Sequence, residues 1–273
     1  MTTGPMLRYG VDVMGTVFSV SLRAPADTAA RAMAAATAEL RAVDAAFSPY
    51  RIDSLVSRVR RGSLRPPAYP PLLIEVIDRC AEVSAATDGW FDPWRLPGGF
   101  DPSGLVKGWG TERAVAHLLA AGVTDFAICA GGDVLVRGCG PHRGLWRVGI
   151  RHPFDPAAVV LVLELTDAAV ATSASYERGS HIVDPHTGSA VAPLASATVV
   201  GPGLATADAY ATALYAAGPP GLAWFTGMDD YCAVTVDEHL VATFSNGVPQ
   251  AWFGQRSPTD RVGAVRRNPQ TTA

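Results

Sequence analysis

In the stretch LATADAYATALYAAG (204–218), Asp208 and Thr212 stand four residues apart. Helical spacing puts both on one face, and their neighbours are mostly alanine, leucine or tyrosine. A carboxylate and a hydroxyl stacked on a face of small residues suit a hard cation such as Mg2+, which takes oxygen ligands. The alternative is a solvent-facing Asp208 with the Thr212 hydroxyl bonded back to the carbonyl of residue 208. A second candidate is Lys107, the only lysine among 22 basic residues. It lies in FDPSGLVKGWG (100–110), where a turn holding Asp101, Ser103 and Gly104 runs into a helix. Free backbone N–H groups at such a junction favour an anion. An ammonium there adds a point charge for a phosphate or a carboxylate. The competing reading is a lysine stem laid along a helix surface.

Two further stretches carry polar chemistry. In SHIVDPHTGSA (180–190), His181 ends a polar loop, and Asp184-Pro185 starts a turn that Thr187-Gly188 completes. A histidine titrates near working pH and can serve as a general base. On position alone, a structural ring bonded to backbone is the stronger reading. CAGGDVLVRG (129–138) reads as strand, Gly-Gly turn and strand. It is not GxGxxG and no helix follows, which excludes a dinucleotide Rossmann fingerprint. A hairpin without function also explains it. No GxSxG occurs, and Ser103 and Lys107 are spaced S-x-x-x-K, not S-x-x-K.

The elements that must position these residues follow from periodicity. Residues 8–23 alternate like strands, with an interruption at Met14–Thr16. Asp27 stands where an N-cap belongs, and Met33, Ala36, Leu40, Val43 and Phe47 recur at helical spacing until FSPYR ends the run. RVRRGSLR (58–65) reads as a solvated loop. A second helix spans Pro71–Thr87, and WFDPWRLPGGFDPSG (90–104) is turn chemistry. A third helix covers 105–121. Strands are expected at 124–129, 133–138, 146–151, 158–166 and 195–200. A helix at 205–217 and a short one at 220–227 come next. Two last strands, 231–236 and 239–245, join at a tight Asp237–Glu238 turn. Helices early and strands late make an α+β pattern. Residues 1–249 read as one domain and 250–273 as a flexible C-terminal tail.

The totals narrow the class. The chain has 273 residues, is 48% hydrophobic and 17% charged, and carries a net charge of −3. It can bury a sizeable core and offers no global electrostatic case for nucleic acid or an anionic membrane. Cys80, Cys129, Cys139 and Cys232 form no CxxC pair, so they read as small core residues of a reduced compartment rather than zinc ligands. The N-terminus lacks the apolar run of a signal peptide and a lipid-bearing cysteine. The run AAVVLVLEL (157–165) is too short to span a bilayer. A cytoplasmic location is the expectation.

The order of the motifs is more specific than any one of them. MGT, FSPYR, TDGWFDP, DPSGLVKGWG, AGGDVLVRG, AVATSASYER, HIVDPHTG and ATADAYATAL follow one another along nearly the whole chain. In this the sequence closely resembles the FAD:protein FMN transferase family, also called ApbE-like. The resemblance implies a T-fold-like α+β mixed sheet with flanking helices in a single compact unit. It implies an enzyme that takes FAD and Mg2+, joins FMN to a threonine or serine hydroxyl of an acceptor flavoprotein by a phosphoester bond, and releases AMP. It also leaves two alternatives: an FAD pyrophosphatase giving FMN and AMP, or a flavin-binding protein without turnover. Matched residue by residue, the metal ligands are Asp208, Thr212 and the carbonyl of Gly104. Met14, Tyr50, Trp90, Phe91, Asp92, Asp101 and Lys107 match FAD-contacting positions, with Lys107 adding charge or orienting Asp101. Val183 matches a flavin-edge contact and His181 the base. Ala211 stands where some relatives carry a further carboxylate, which implies weaker or mononuclear metal binding. Asp92 and Asp101 are nine apart where many relatives have a longer connection, which implies a shortened flap over the flavin.

Overall fold

The computed structural model describes residues 4–96, 98–155, 157–174, 183–189, 191 and 194–245, and the backbone of 265–267. Strands β1 (Met6–Val13) and β2 (Thr16–Arg23) pair antiparallel. The interruption at Met14–Thr16 is their hairpin turn: Met14 and Gly15 have φ of 53° and 70°, the paired positive values of a two-residue type I′ connection. Strands β3 (Phe126–Ala130) and β4 (Asp133–Arg137) form the Gly-Gly hairpin. Next come β5 (Trp146–Arg151), β6 (Val159–Leu165), β7 (Ala168–Ala174), β8 (Ser196–Gly201), β9 (Cys232–Val236), β10 (Ala242–Phe244) and β11 (Val265–Arg267). Among the described residues, nine of these strands make one sheet in the order β1-β2-β3-β4-β7-β8-β9-β10-β11, and β5 and β6 make a separate ribbon. The large sheet is antiparallel except for β10 and β11.

The helices are α1 (Ala26–Phe47), α2 (Leu55–Arg60), α3 (Pro71–Ala86), α4 (Ser103–Ala120) and α5 (Leu204–Ala217), followed by a 3-10 turn at Pro219–Phe225. Period-two alternation sends the strands' residues to opposite faces. Leu135, Ala169, Ala171, Ala197, Val199 and Ala233 pack with the helices. Val136, Val170, Val200, Cys232, Val234 and Val236 pack under the β5–β6 ribbon. The molecule is therefore a mixed α+β layer: helices, antiparallel sheet, ribbon.

Four local expectations change. Helix α1 is capped by Pro25 backbone, with Ala29 N donating to its carbonyl at 2.9 Å, and Asp27 lies in the first turn, where a carboxylate favours the helix dipole. Part of the stretch expected to be a solvated loop is α2, capped by the Ser54 hydroxyl, which accepts from Ser57 N at 3.0 Å. Strand β7 had no signal, because AAVATSA is alanine-rich and covered on both faces, so it neither alternates nor shows strong strand propensity. The β9–β10 link is longer than a two-residue turn. Asp237 accepts from His239 N and Val241 N, both at 2.9 Å, and so organises residues 237–241 itself.

Candidate active site

The site is set by how closely α4 and α5 cross. A Cβ on Gly108 would lie 2.5 Å from the Leu204 carbonyl oxygen and 2.6 Å from Ala205 N, so only glycine allows this approach. Four residues on, the Glu112 carboxylate accepts from Ala205 N at 2.9 Å and is held by Arg79 at 3.1 Å. It thereby satisfies a backbone donor in the first turn of α5. At the other end of the crossing, Gly104 faces Thr212: a Cβ there would be 3.2 Å from Thr212 Oγ1 and 3.2 Å from Phe91 Cε2. Gly104, Lys107, Asp208 and Thr212 thus meet at the N-terminal end of α4.

Two carboxylates are buried there, Asp208 at 6% and Asp133 at 2% exposure. Lys107 Nζ lies 3.0 Å from Asp208 Oδ2 and also contacts Asp133 Oδ2. Asp133 Oδ1 accepts from Thr172 N at 3.0 Å, and Ser173 Oγ lies 3.4 Å from Thr212 Oγ1. Among the described residues one ammonium is shared by two buried carboxylates, an arrangement that suits an added cation. The oxygen donors Asp208, Thr212 and Gly104 fit the preference of Mg2+. Among the described residues no three His, Cys, Asp or Glu side chains cluster as a metal site. A cation here would therefore use one carboxylate with a hydroxyl and a carbonyl, and its remaining positions would go to water or to a substrate's oxygens.

Around this cluster lies a cleft of about 650 Å³. Its lining includes Met14, Tyr50, Trp90, Phe91, Asp92, Asp101, Gly104, Lys107, Val183, Asp208 and Thr212, so residues far apart in sequence share one cavity. His181 lies outside the described residues. Tyr50 stands at the mouth, 96% exposed. Asp92 accepts from Trp94 N at 2.8 Å and pairs with Arg95 at 3.3 Å. Asp101 is held by Ser103 and by Arg60, whose Nη2 is 2.9 Å away, rather than by Lys107. Trp90 meets His186 edge-to-face at 4.7 Å. Val183 leads into a turn built on Asp184. Desolvation opposes ionisation of that carboxyl, but hydrogen bonds from His186 N, Thr187 Oγ1 and Thr187 N outweigh it and hold it below the usual carboxylate range.

Three participants escaped the sequence reading. Asp133 was visible as a carboxylate opening an otherwise apolar strand directly after Gly-Gly, a costly place for a charge unless it is paired. Arg60 was submerged in a basic run, and only the 41-residue jump to Asp101 reveals it. Ser173 belongs to β7, the strand that had no signal.

Comparison with known proteins follows the same outline. The ApbE family model matches residues 14–97 and 94–235. The chain is 36% identical over 154 residues to the FAD:protein FMN transferase of Rhodobacter capsulatus, covering 52% of this chain and 29% of that protein. Over 128 residues it is 33% identical to the FAD:protein FMN transferase of Vibrio cholerae serotype O1, covering 43% of this chain and 38% of that protein. The aligned stretches span about a third of these curated relatives' lengths. Among solved structures, the flavinyl transferase ApbE of Pseudomonas stutzeri in its apo form superposes with a TM-score of 0.77 at 23% identity, over 90% of this chain and 96% of that one. The flavin transferase ApbE from Vibrio cholerae does so with a TM-score of 0.75 at 22% identity, over 86% and 94%. At such identities the likeness carries the fold.

Proposed function

The chain belongs to the ApbE family, and from that premise we propose that it is a Mg2+-dependent FAD:protein FMN transferase. In this reaction the hydroxyl oxygen of a threonine or serine on an acceptor flavoprotein bonds to the FMN phosphorus. The P–O bond to the AMP half breaks, and AMP leaves with the bonding electrons. The observation that carries the reading is the buried Asp133–Lys107–Asp208 cluster beside Thr212, set in a cleft walled by Trp90, Phe91 and Met14. A dinucleotide offers what such a cleft would complement once a divalent cation is held there: flat rings for aromatic walls and a diphosphate for the cation.

Phosphoryl transfer needs alignment and charge neutralisation more than covalent chemistry from the protein. Asp208, Thr212 and the Gly104 carbonyl would hold Mg2+, which when bound supplies positive charge to the pyrophosphate oxygens. Lys107 adds a second positive charge next to the same centre. Trp90, Phe91, Tyr50 and Met14 enclose the ring systems. Asp92 and Asp101, fixed by Arg95 and Arg60, offer acceptors to the nucleotide. Val183 borders the flavin through its backbone, and His181 takes the proton of the incoming hydroxyl.

The open mouth at Tyr50 favours a second reading, hydrolysis of FAD to FMN and AMP with water as the acceptor. One experiment separates the two. The protein is incubated with FAD, Mg2+ and a threonine-bearing acceptor domain, the acceptor is weighed by mass spectrometry, and AMP is quantified. An acceptor heavier by one FMN with equimolar AMP is expected. AMP and free FMN with an unmodified acceptor would establish hydrolysis instead, and no AMP at all would rule out both. The His181→Ala variant should retain FAD binding and lose transfer; lost binding would make the ring a structural contact.

A further inference from the structure

We infer that Asp133 is a positioning residue for the divalent cation: by sharing the Lys107 ammonium it weakens that ammonium's hold on the Asp208 carboxylate in competition with the cation. This rests on Asp208 being a ligand, as proposed above. Asp133 opens β4 immediately after the Gly131-Gly132 turn. Two contacts fix that position. Its Oδ1 accepts from Thr172 N of the neighbouring β7 at 3.0 Å. The turn itself is pressed against β2, where a Cβ on Gly131 would come within 2.8 Å of Thr16 Oγ1. The carboxylate therefore sits on rigid strands and cannot follow the lysine elsewhere.

Lys107 is less constrained, being a four-carbon stem on the first turns of α4 that reaches both carboxylates. An ammonium paired with Asp208 alone would neutralise the carboxylate and compete with a metal ion for it. A second buried carboxylate splits that attraction, and in a site shielded from water the split is large. Asp133 acts through Lys107 and not as a ligand of the metal or a contact of substrate oxygens.

The test titrates Mn2+ alone into the folded protein and follows the EPR signal of the free ion. Asp133→Asn keeps the volume and the acceptor for Thr172 N but removes the charge, and it should bind Mn2+ roughly tenfold more weakly than wild type. Lys107→Met should bind at least as tightly as wild type. In the Lys107→Met background, adding Asp133→Asn should cost less than about threefold, because the competitor is gone. Unchanged Mn2+ binding by Asp133→Asn overturns the inference. So does a loss that persists undiminished in the double variant, since Asp133 would then act by its own charge. If Asp133→Asn does not fold, Lys107→Met decides alone: weaker binding than wild type means the ammonium does not compete. Wild-type protein that binds no Mn2+ overturns the metal reading and this inference together, whereas wild-type binding with an unaffected Asp133→Asn overturns this inference only.

Discussion

The two faces of the central sheet are built from the same strands and both bury an apolar core, but only one of them also buries a cluster of charges. Under the β5–β6 ribbon, Trp146, Val148, Ile150, Leu163 and Leu165 meet Val136, Val170 and Val200, all apolar. On the helical face, β4 and β7 contribute Asp133 and Ser173, which meet Lys107, Asp208 and Thr212 from the helices. Apolar burial stabilises by roughly 25 cal/mol per Å². Two carboxylates sharing one ammonium give no such return, because desolvating each ion offsets the attraction. One face is thus explained by folding alone. The other also holds a charged cluster that apolar burial does not explain and that a bound cation would complement.

The largest test of this contrast is Asp208→Asn. It should lower transfer on the order of 10²–10³-fold, the usual loss when one charge-stabilising group leaves a phosphoryl or acyl site. Its melting temperature should stay the same or rise, since Asp133 and Lys107 remain as a balanced pair. Activity assays and calorimetry read the two sides, and a fall in both would mean that the cluster is structural. The mirror experiment is Trp146→Ala on the ribbon face. Trp146 is 6% exposed and its indole donates to the Arg137 carbonyl at 3.0 Å. Truncation should cost about 3–5 kcal/mol in chemical denaturation and leave KM for FAD unchanged well below the melting temperature. A shifted KM would show that the faces are coupled.

A smaller effect separates the two glycines of the α4–α5 crossing. Gly108→Ala drives a Cβ into backbone at 2.5 Å, which cannot move aside cheaply, and should cost about 1–3 kcal/mol. At Gly104 the neighbours are side-chain atoms at 3.2 Å, so Gly104→Ala should lose less than half as much in the same denaturation series. Equal losses would mean that the site end of the crossing is as tight as its structural end.

What was legible in the sequence divides along the same line. Regular periodicity revealed α1 and α3 and strands such as β2 and β5, because each has one buried face and a contrasting one. Strand β7 and helix α2 were lost for want of that contrast: AAVATSA is mostly buried and does not alternate, and LVSRVR is six residues that run into a basic stretch. At the site, the i,i+4 pair Asp208 and Thr212 and the lone Lys107 stood out by residue type. Their meeting with Asp133 and Ser173 did not, because sheet order brings β4 beside β7 across two intervening strands that pair with each other instead. Arg60 and Asp101 show the same limit, since nothing within either motif points to the other.

The smallest expected difference tests whether the two faces are equally closed. Cys80 lies in α3 on the helical side and Cys232 in β9 on the ribbon side, both buried. Burial, with Asp92 repulsion added, pushes the Cys80 thiol up to about 12. Burial alone does the same to Cys232. Since the thiolate is the reactive form, neither should be alkylated in native protein at pH 8, and Cys129 and Cys139, both half-buried, should label first. A two-stranded ribbon has little stability of its own. If it lifts from the sheet as a local unit, Cys232 will label ahead of Cys80 and at a rate independent of global stability. Mass spectrometry of timed iodoacetamide reactions would show that order. Labelling of Cys232 only on global unfolding would mean that the apolar face is closed by packing as firmly as the helical face.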